Sequence, residues 1–161
     1  MNDAPRVTGR LLGIDHGLVR LGIAVSDETG FVARELAIIR RTSKREDFDK
    51  INRLATEQRV VALIVGVPTD YERAAQGLYS QADRVRTWAE ALRAATPLPV
   101  VLWDETMSSH DAHNLARQQR RKRGAPVDDL AARVILQSYL DALRAGLAQP
   151  PVRLSDESSD G

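Results

Sequence analysis

The stretch that most constrains the fold is Leu11–Gly17, in which an apolar run ends in the acid Asp15. It is followed closely by Arg20–Asp27, which contains a second apolar run. Leu11–Ile14 has the composition of a strand inside a sheet. Asp15 ends that run, and a carboxylate at the end of a buried strand costs free energy unless it is solvated, paired or bound to a cation. Because Gly17 permits a sharp turn, the two runs predict an antiparallel hairpin with Asp15 near its tip.

The later apolar segments predict an α/β fold. A third strand follows the hairpin, and two further strands alternate with segments of helical periodicity. The spacing of Ser43 and Glu46 is that of a capping box at the start of the first helix. The predicted order is β-β-β-α-β-α-β-α-α, with strands at about 10–15, 20–26, 31–39, 60–65 and 100–103 and helices that begin at about 43, 78, 108 and 128. Three antiparallel strands followed by βαβ crossovers predict a mixed five-stranded sheet with helices on both faces.

The length of 161 residues predicts one domain, which we place at residues 10–146, with disordered tails at 1–9 and 147–161. The absence of cysteine excludes a thiol nucleophile, a disulfide framework and a cysteine-ligated zinc. There is no apolar signal core and no apolar stretch long enough to span a bilayer. We therefore expect a cytoplasmic protein with no membrane partner.

Three acids that lie far apart in the sequence follow or begin predicted elements: Asp15, Glu105 and Asp128. Asp15 and Glu105 each end a strand, and sites in mixed α/β sheets form at the carboxyl ends of parallel strands. Carboxylate oxygens are ligands that Mg²⁺ prefers, and a pair of such ions can activate water and stabilise a leaving oxygen in phosphodiester cleavage. We therefore hypothesise that the fold brings these three acids together around a metal ion.

Each acid also has a structural interpretation that the sequence leaves open. Asp15 has the residue type that shapes a turn. Asp104 competes with Glu105, because neighbours on a strand point to opposite faces. Asp128 is at a normal N-cap position, and on position alone this interpretation is favoured. Asp129 beside it more readily complements the helix dipole.

The densest group of cations precedes Asp128 by a few residues, although the net charge of the chain is only +1. Cations of this kind suit the C-terminus of a helix. They also suit contact with a nucleic-acid backbone, which they would bind without reading its sequence. The group consists of Arg117, Arg120, Arg121, Lys122 and Arg123.

The histidines indicate a zinc site only weakly. His110 and His113 are three residues apart on a predicted helix, and His16 adjoins Asp15. No third clear nitrogen ligand is present, so surface polar residues are the favoured interpretation.

Several short motifs occur in a fixed order along residues 10–141. They are Gly13–Gly17 with Arg20, Gly22–Asp27, Ile64–Pro68, Trp103–Glu105 with Met107–Ser109 and Ala112, and Val127–Asp128 with Ala131, Ala132, Ile135, Leu136 and Tyr139–Asp141. Each motif alone is weak, but the ordered set resembles the YqgF family of bacterial RNase H-like nucleases. Members of that family are described as pre-16S rRNA nucleases and were earlier described as Holliday junction resolvases.

The resemblance implies an RNase H-like fold and a nuclease dependent on Mg²⁺ or Mn²⁺, with Asp15, Glu105 and Asp128 as its catalytic, metal-binding acids. It also implies a role in maturing the 5′ end of the 16S rRNA precursor. The chain differs from the family pattern at Val19 and Thr106, where the family usually has a lysine and an arginine near substrate phosphate. Two interpretations are open: either Arg20 and the basic run at 117–123 supply the phosphate contacts instead, or this member of the family has weak or altered activity.

Three rival functions remain. Resolution of four-way DNA junctions needs paired nicks and therefore predicts a two-fold dimer, whereas processing of structured RNA, the favoured interpretation, predicts a monomer. A non-catalytic RNA-binding module on the same fold predicts binding that survives EDTA. A phosphotransferase of the actin-like class needs a second domain, for which this chain is too short.

Overall fold

A computed structural model describes residues 9–68, 80–104 and 128–151, with the side chains of residues 128 and 129 outside that description. The five strands in the described ranges are β1 (Arg10–His16), β2 (Arg20–Ser26), β3 (Ala33–Arg40), β4 (Val60–Val67) and β5 (Val100–Asp104). The helices described are α1 (Lys44–Glu57), α2 (Gln81–Ala95) and α3 (Asp128–Arg144). The helix predicted at about 108–119 lies outside the described residues.

The strands form one mixed sheet in the order β3-β2-β1-β4-β5. β1 pairs antiparallel with β2 and parallel with β4, and β4 pairs parallel with β5. The predicted hairpin and mixed sheet are therefore confirmed. The carboxyl ends of β1, β4 and β5 lie at one end of the sheet, which we call the site end. β5 is two positions from β1, so their backbones are about 10 Å apart.

Helices cover both faces of the sheet, as predicted. Alternation along β1 sends Leu12 and Ile14 into a core cluster with side chains of α1 and α2. Leu11 belongs to a second cluster with side chains of α3. Because each face of β1 is covered, its apolar run is continuous instead of alternating with polar residues.

β3 begins two residues later than predicted, at Ala33. The carboxylate of Asp27 accepts hydrogen bonds from the backbone N–H groups of Phe31 (2.8 Å) and Val32 (3.0 Å) and holds both residues in the turn. Burial opposes ionisation of Asp27, but hydrogen bonds from Thr29, Val32 and Phe31 outweigh it and lower its pKa to about 2. The apolar Phe31–Val32 pair is consequently exposed and not part of the strand.

The predicted capping box at α1 is only half formed. The hydroxyl of Ser43 accepts from the Glu46 N–H at 3.2 Å, but the Glu46 carboxylate accepts from the Thr42 hydroxyl at 2.7 Å. The complete capping box belongs to α2, where Ser80 and Asp83 bond reciprocally. This cap begins α2 at residue 81, a few residues after the predicted start.

The C-terminal half of α3 is anchored to the sheet and to the chain that follows it. Gln137 accepts from the Ala33 N–H at 2.9 Å. The Tyr139 hydroxyl donates to the Gln149 carbonyl at 2.6 Å, and Ala148 packs against the α3 cluster. Among the described residues, no helix is both long and apolar enough to cross a membrane.

Candidate metal and nucleic-acid site

Asp15 lies near the carboxyl end of β1 and on the sheet face that α3 covers. Leu11 and Gly13, at two-residue intervals before it, both face α3. Side chains on a strand alternate between the two faces, so Asp15 shares theirs. Its side chain is almost inaccessible, with 4% of the residue's surface exposed. The predicted position of the acid, at a buried strand end, is confirmed.

The start of α3 is brought to the same end of the sheet. A Cβ atom built at Gly13 would lie 2.7 Å from the Cβ of Leu136 and 3.1 Å from the carbonyl oxygen of Ala132. Further along α3, the Gln137 side chain accepts from the Ala33 N–H at 2.9 Å, and Ala33 begins β3 at the end of the sheet away from the site end. α3 therefore runs antiparallel to β1, and its first turn, which begins at Asp128, lies toward the site end. The N-terminus of a helix carries partial positive charge.

Gly13 on β1 and Gly66 on β4 allow α3 to approach the sheet closely. On β4, a Cβ atom at Gly66 would lie 2.4 Å from the Cδ1 atom of Ile135. The sequence alone does not assign these glycines a role. Isolated glycines in strand interiors are a signal of close approach and pointed to this contact.

The turn after Asp15 is tied down by backbone and side-chain hydrogen bonds. The N–H of Gly17 donates to the Arg20 carbonyl at 2.9 Å, and a Cβ atom at Gly17 would lie 2.5 Å from that oxygen. The Arg41 N–H donates to the Val19 carbonyl at 2.8 Å, and its guanidinium donates to the Gly17 carbonyl at 3.0 Å. Arg41 also pairs with the buried Asp47, at 3.8 Å. This turn is therefore held to the start of α1.

His16 is buried on the opposite face from Asp15, which corrects its interpretation as a surface residue. It is 8% exposed, and its ring centroid lies 4.9 Å from that of Trp88 on α2. Within the described part of the chain, its Nδ1 atom has no hydrogen-bond partner. Burial, reinforced by the charge of Arg41, lowers the pKa of His16 to about 4. The imidazole is therefore neutral near pH 7.

We expect the substitution His16→Phe to flatten the pH dependence of stability between about pH 7 and pH 5. Below pH 6.5 the unfolded wild type binds a proton that folded His16, with its pKa of about 4, does not. The free energy of unfolding therefore decreases as the pH is lowered, and this group contributes at most about 1.4 kcal/mol per pH unit. Phenylalanine keeps an aromatic ring beside Trp88 and removes the titration. Urea unfolding of both proteins across this range measures the difference, and parallel pH dependences would contradict it.

The other predicted site residues have different outcomes. Asp104 is exposed at the end of β5, opposite Val67. Arg20 is exposed at the start of β2. Within residues 9–68, 80–104 and 128–151, no group of three or more His, Cys, Asp or Glu residues could hold a metal ion. The side chain of Asp128 lies outside the described structure. So do the remaining predicted residues, which are Glu105, Arg117, Arg120, Arg121, Lys122 and Arg123.

Comparison with solved structures finds the fold of RuvC. The chain is similar to Thermus thermophilus RuvC in complex with a Holliday junction substrate, with a TM-score of 0.62 and 17% sequence identity. The match covers 89% of this chain and 99% of that one. A second structure of the same protein gives a TM-score of 0.56 over the same shares. These likenesses support the predicted RNase H-like α/β fold.

Sequence comparison finds close relatives over most of the chain. A protein of Symbiobacterium thermophilum is 39% identical over 146 residues, which cover 88% of this chain and 96% of the relative. A protein of Thermoanaerobacter pseudethanolicus is 35% identical over 137 residues, covering 83% and 96%. Both relatives carry the provisional name pre-16S rRNA nuclease. The sequence model of the RuvX family, described as "Holliday junction resolvase", matches residues 9–142. The chain therefore belongs to the RuvX family, the family also called YqgF.

Proposed function

We propose that this protein is a metal-dependent nuclease whose metal-binding acids are Asp15, Glu105 and Asp128, within a domain at residues 10–146. The observation that carries the proposal is the placement of Asp15, a buried carboxylate at a strand end, on the face toward which the first turn of α3 is directed. Carboxylate oxygens are ligands that Mg²⁺ prefers, and sites in α/β sheets form at the carboxyl ends of the strands, where Asp15 lies. The names of the relatives as nucleases support the same activity.

The described part of β5 favours Glu105 over Asp104 as the second acid. Trp103 faces α3, because its indole N–H donates to the Ser138 hydroxyl at 3.1 Å. Because side chains alternate along a strand, Asp104 then belongs to the opposite face. The next residue, Glu105, is therefore the better candidate for the acid that joins Asp15.

The donor set suits Mg²⁺ or Mn²⁺, because carboxylate oxygens are the hard ligands that these ions bind. A pair of such ions, when bound, would activate the attacking water and stabilise the leaving oxygen. The protein's own contribution is to hold the carboxylates on rigid elements and to exclude bulk water from Asp15. α1 follows β3 at the site end, and α3 begins toward the same end, so the partial positive charges of both N-termini favour a polyanion there.

The proposed substrate is structured RNA. We infer that Arg20 and the basic run at 117–123 bind its phosphates without reading sequence. The names of the relatives favour the 16S rRNA precursor as the target, and the resemblance to the YqgF family implies its 5′ end. A monomeric protein in the reducing cytoplasm fits this function, and the whole sequence contains no cysteine.

Resolution of four-way DNA junctions is the second candidate, favoured by the description of the RuvX family. Such an enzyme must place two nicks symmetrically and would therefore act as a two-fold dimer. Sedimentation of the protein with and without junction DNA tests for that dimer.

Cleavage of two substrates side by side distinguishes these functions. The purified protein is incubated with a 16S precursor RNA carrying its 5′ leader and with a four-way DNA junction, each with Mn²⁺ or EDTA. We expect RNA cleavage with Mn²⁺ alone. Symmetric nicking of the junction, without RNA cleavage, would assign the resolvase function. No cleavage of either substrate, with RNA binding retained in EDTA, would contradict the nuclease and assign a binding module.

A further inference from the structure

We propose that Arg20 and Arg40 together form a phosphate-binding pair, the Arg20–Arg40 pair, that holds the nucleic-acid backbone on the β3 side of Asp15. The inference rests on the proposed function, because that function supplies the polyanion. No motif in the sequence singles out Arg40. Its significance appears only when β2 and β3 are placed side by side.

The register of the sheet puts both cations on the face of Asp15. Arg20 and Arg40 are directly opposite each other at the site end of the β2–β3 pair. Gly22 is opposite Asp15, and Arg20 precedes Gly22 by two residues, so the two positions share a face. Ile39, beside Arg40, packs in the cluster on the other face. Both arginines are exposed.

Two like charges opposite each other destabilise a strand pair. Some arginines in the described chain have an acid nearby: Arg10 lies 3.7 Å from Glu28, and Arg41 lies 3.8 Å from Asp47. Among the residues that the structure describes, neither Arg20 nor Arg40 has an acid within 4.0 Å. An anion from outside the described chain would relieve the repulsion between them.

The adjacent Arg41 has a different function. Its guanidinium donates to the Gly17 carbonyl at 3.0 Å and pairs with Asp47. These contacts occupy it in holding the hairpin turn. Arg40 makes no such contact within the described residues, which leaves its fork of N–H donors for a ligand.

A phosphate is the anion that this arrangement fits best. Guanidinium groups bind phosphate oxygens through paired, charge-assisted hydrogen bonds. Arg20 lies on the strand next to β1, and Arg40 lies on β3, two positions away. The backbone of β3 is therefore about 10 Å from the strand that carries Asp15. A nucleic-acid strand with one phosphate at Asp15 can therefore place a neighbouring phosphate at the pair. Such a contact would orient the strand and carry no sequence information.

Salt dependence of RNA binding tests the pair without any requirement for cleavage. Binding of a fluorescein-labelled RNA hairpin is measured in EDTA over a range of salt concentrations for the wild type, Arg20→Gln and Arg40→Gln. Each substitution is expected to reduce the slope of log K against log salt by about 0.7–0.9, the value for one lost phosphate contact. Arg34→Gln is the matched control, because Arg34 is an exposed arginine at the opposite end of the same strand.

The outcomes separate this inference from the proposed function. Slopes for Arg20→Gln and Arg40→Gln equal to that of Arg34→Gln, in a protein that cleaves with Mn²⁺, would overturn the pair alone. Reduced slopes in a protein that does not cleave would support the pair and contradict the nuclease. Because Arg40→Gln removes a like-charge contact, its thermal unfolding temperature is expected not to fall, and a decrease would contradict the described pairing.

Discussion

Asp15→Asn is expected to reduce Mn²⁺-dependent cleavage by more than about 100-fold. Changing a residue that only supports a metal ligand costs about 10–100-fold, and loss of the ligand itself should cost more. Asparagine has nearly the same shape as aspartate but lacks its negative charge. Initial cleavage rates of the wild type and the Asp15→Asn protein in Mn²⁺ measure the effect.

Asp104→Asn is the matched control for this experiment. Asp104 is another carboxylate at the site end, but it is exposed and follows Trp103, which faces α3. We expect the Asp104→Asn protein to retain wild-type cleavage. Equal losses in the two variants would show that the assay responds to charge in general and would remove the case for Asp15 as a ligand.

Gly66→Ala is expected to lower the free energy of unfolding by about 1–3 kcal/mol, the usual cost of overpacking a core. The added Cβ atom would lie 2.4 Å from the Cδ1 and 2.9 Å from the Cγ1 of Ile135. α3 must move away from the sheet or Ile135 must change rotamer. Because α3 begins at Asp128, a displacement of the helix is also expected to reduce cleavage in protein that remains folded.

A double-mutant cycle with Ile135→Ala identifies the contact responsible. Ile135→Ala alone is expected to cost about 2–5 kcal/mol, because it leaves a cavity. It also removes every Ile135 atom that the new Cβ would meet. The double variant is therefore expected to lose about 0.5–3 kcal/mol less unfolding free energy than the sum of the two single losses. Urea unfolding gives all four free energies. Strict additivity would place the strain elsewhere.

The strands were predictable because their signals are local. The Leu11–Asp15 run and the β-branched run at 60–65 each identify a buried strand from adjacent residues, and β2 has its predicted bounds. The start of β3 was not predictable from composition, because Phe31 and Val32 are suitable strand residues. A side chain several residues earlier, Asp27, holds them in a turn by hydrogen bonds that periodicity does not indicate.

Within the site, the position of Asp15 was predictable and its surroundings were not. An acid at the end of an apolar strand is recognisable from adjacent residues in the sequence. The contact of Gly13 with Leu136, in contrast, joins residues more than a hundred positions apart. The pairing of Arg20 with Arg40 likewise depends on the register between two strands. His16 was misassigned to the surface because its polarity suggested solvent, while β1 is covered on both faces.

Binding of Mn²⁺ to the purified protein is the most direct test of the proposed metal site. A titration followed by electron paramagnetic resonance counts free Mn²⁺ for the wild type and for Asp15→Asn, without nucleic acid. We predict that the wild type binds Mn²⁺ and that Asp15→Asn binds it at least about tenfold more weakly, since changing a residue that only supports a ligand already costs about 10–100-fold. Equal affinities in the two proteins would contradict the assignment of Asp15 as a metal ligand and, with it, the proposed metal-dependent nuclease site.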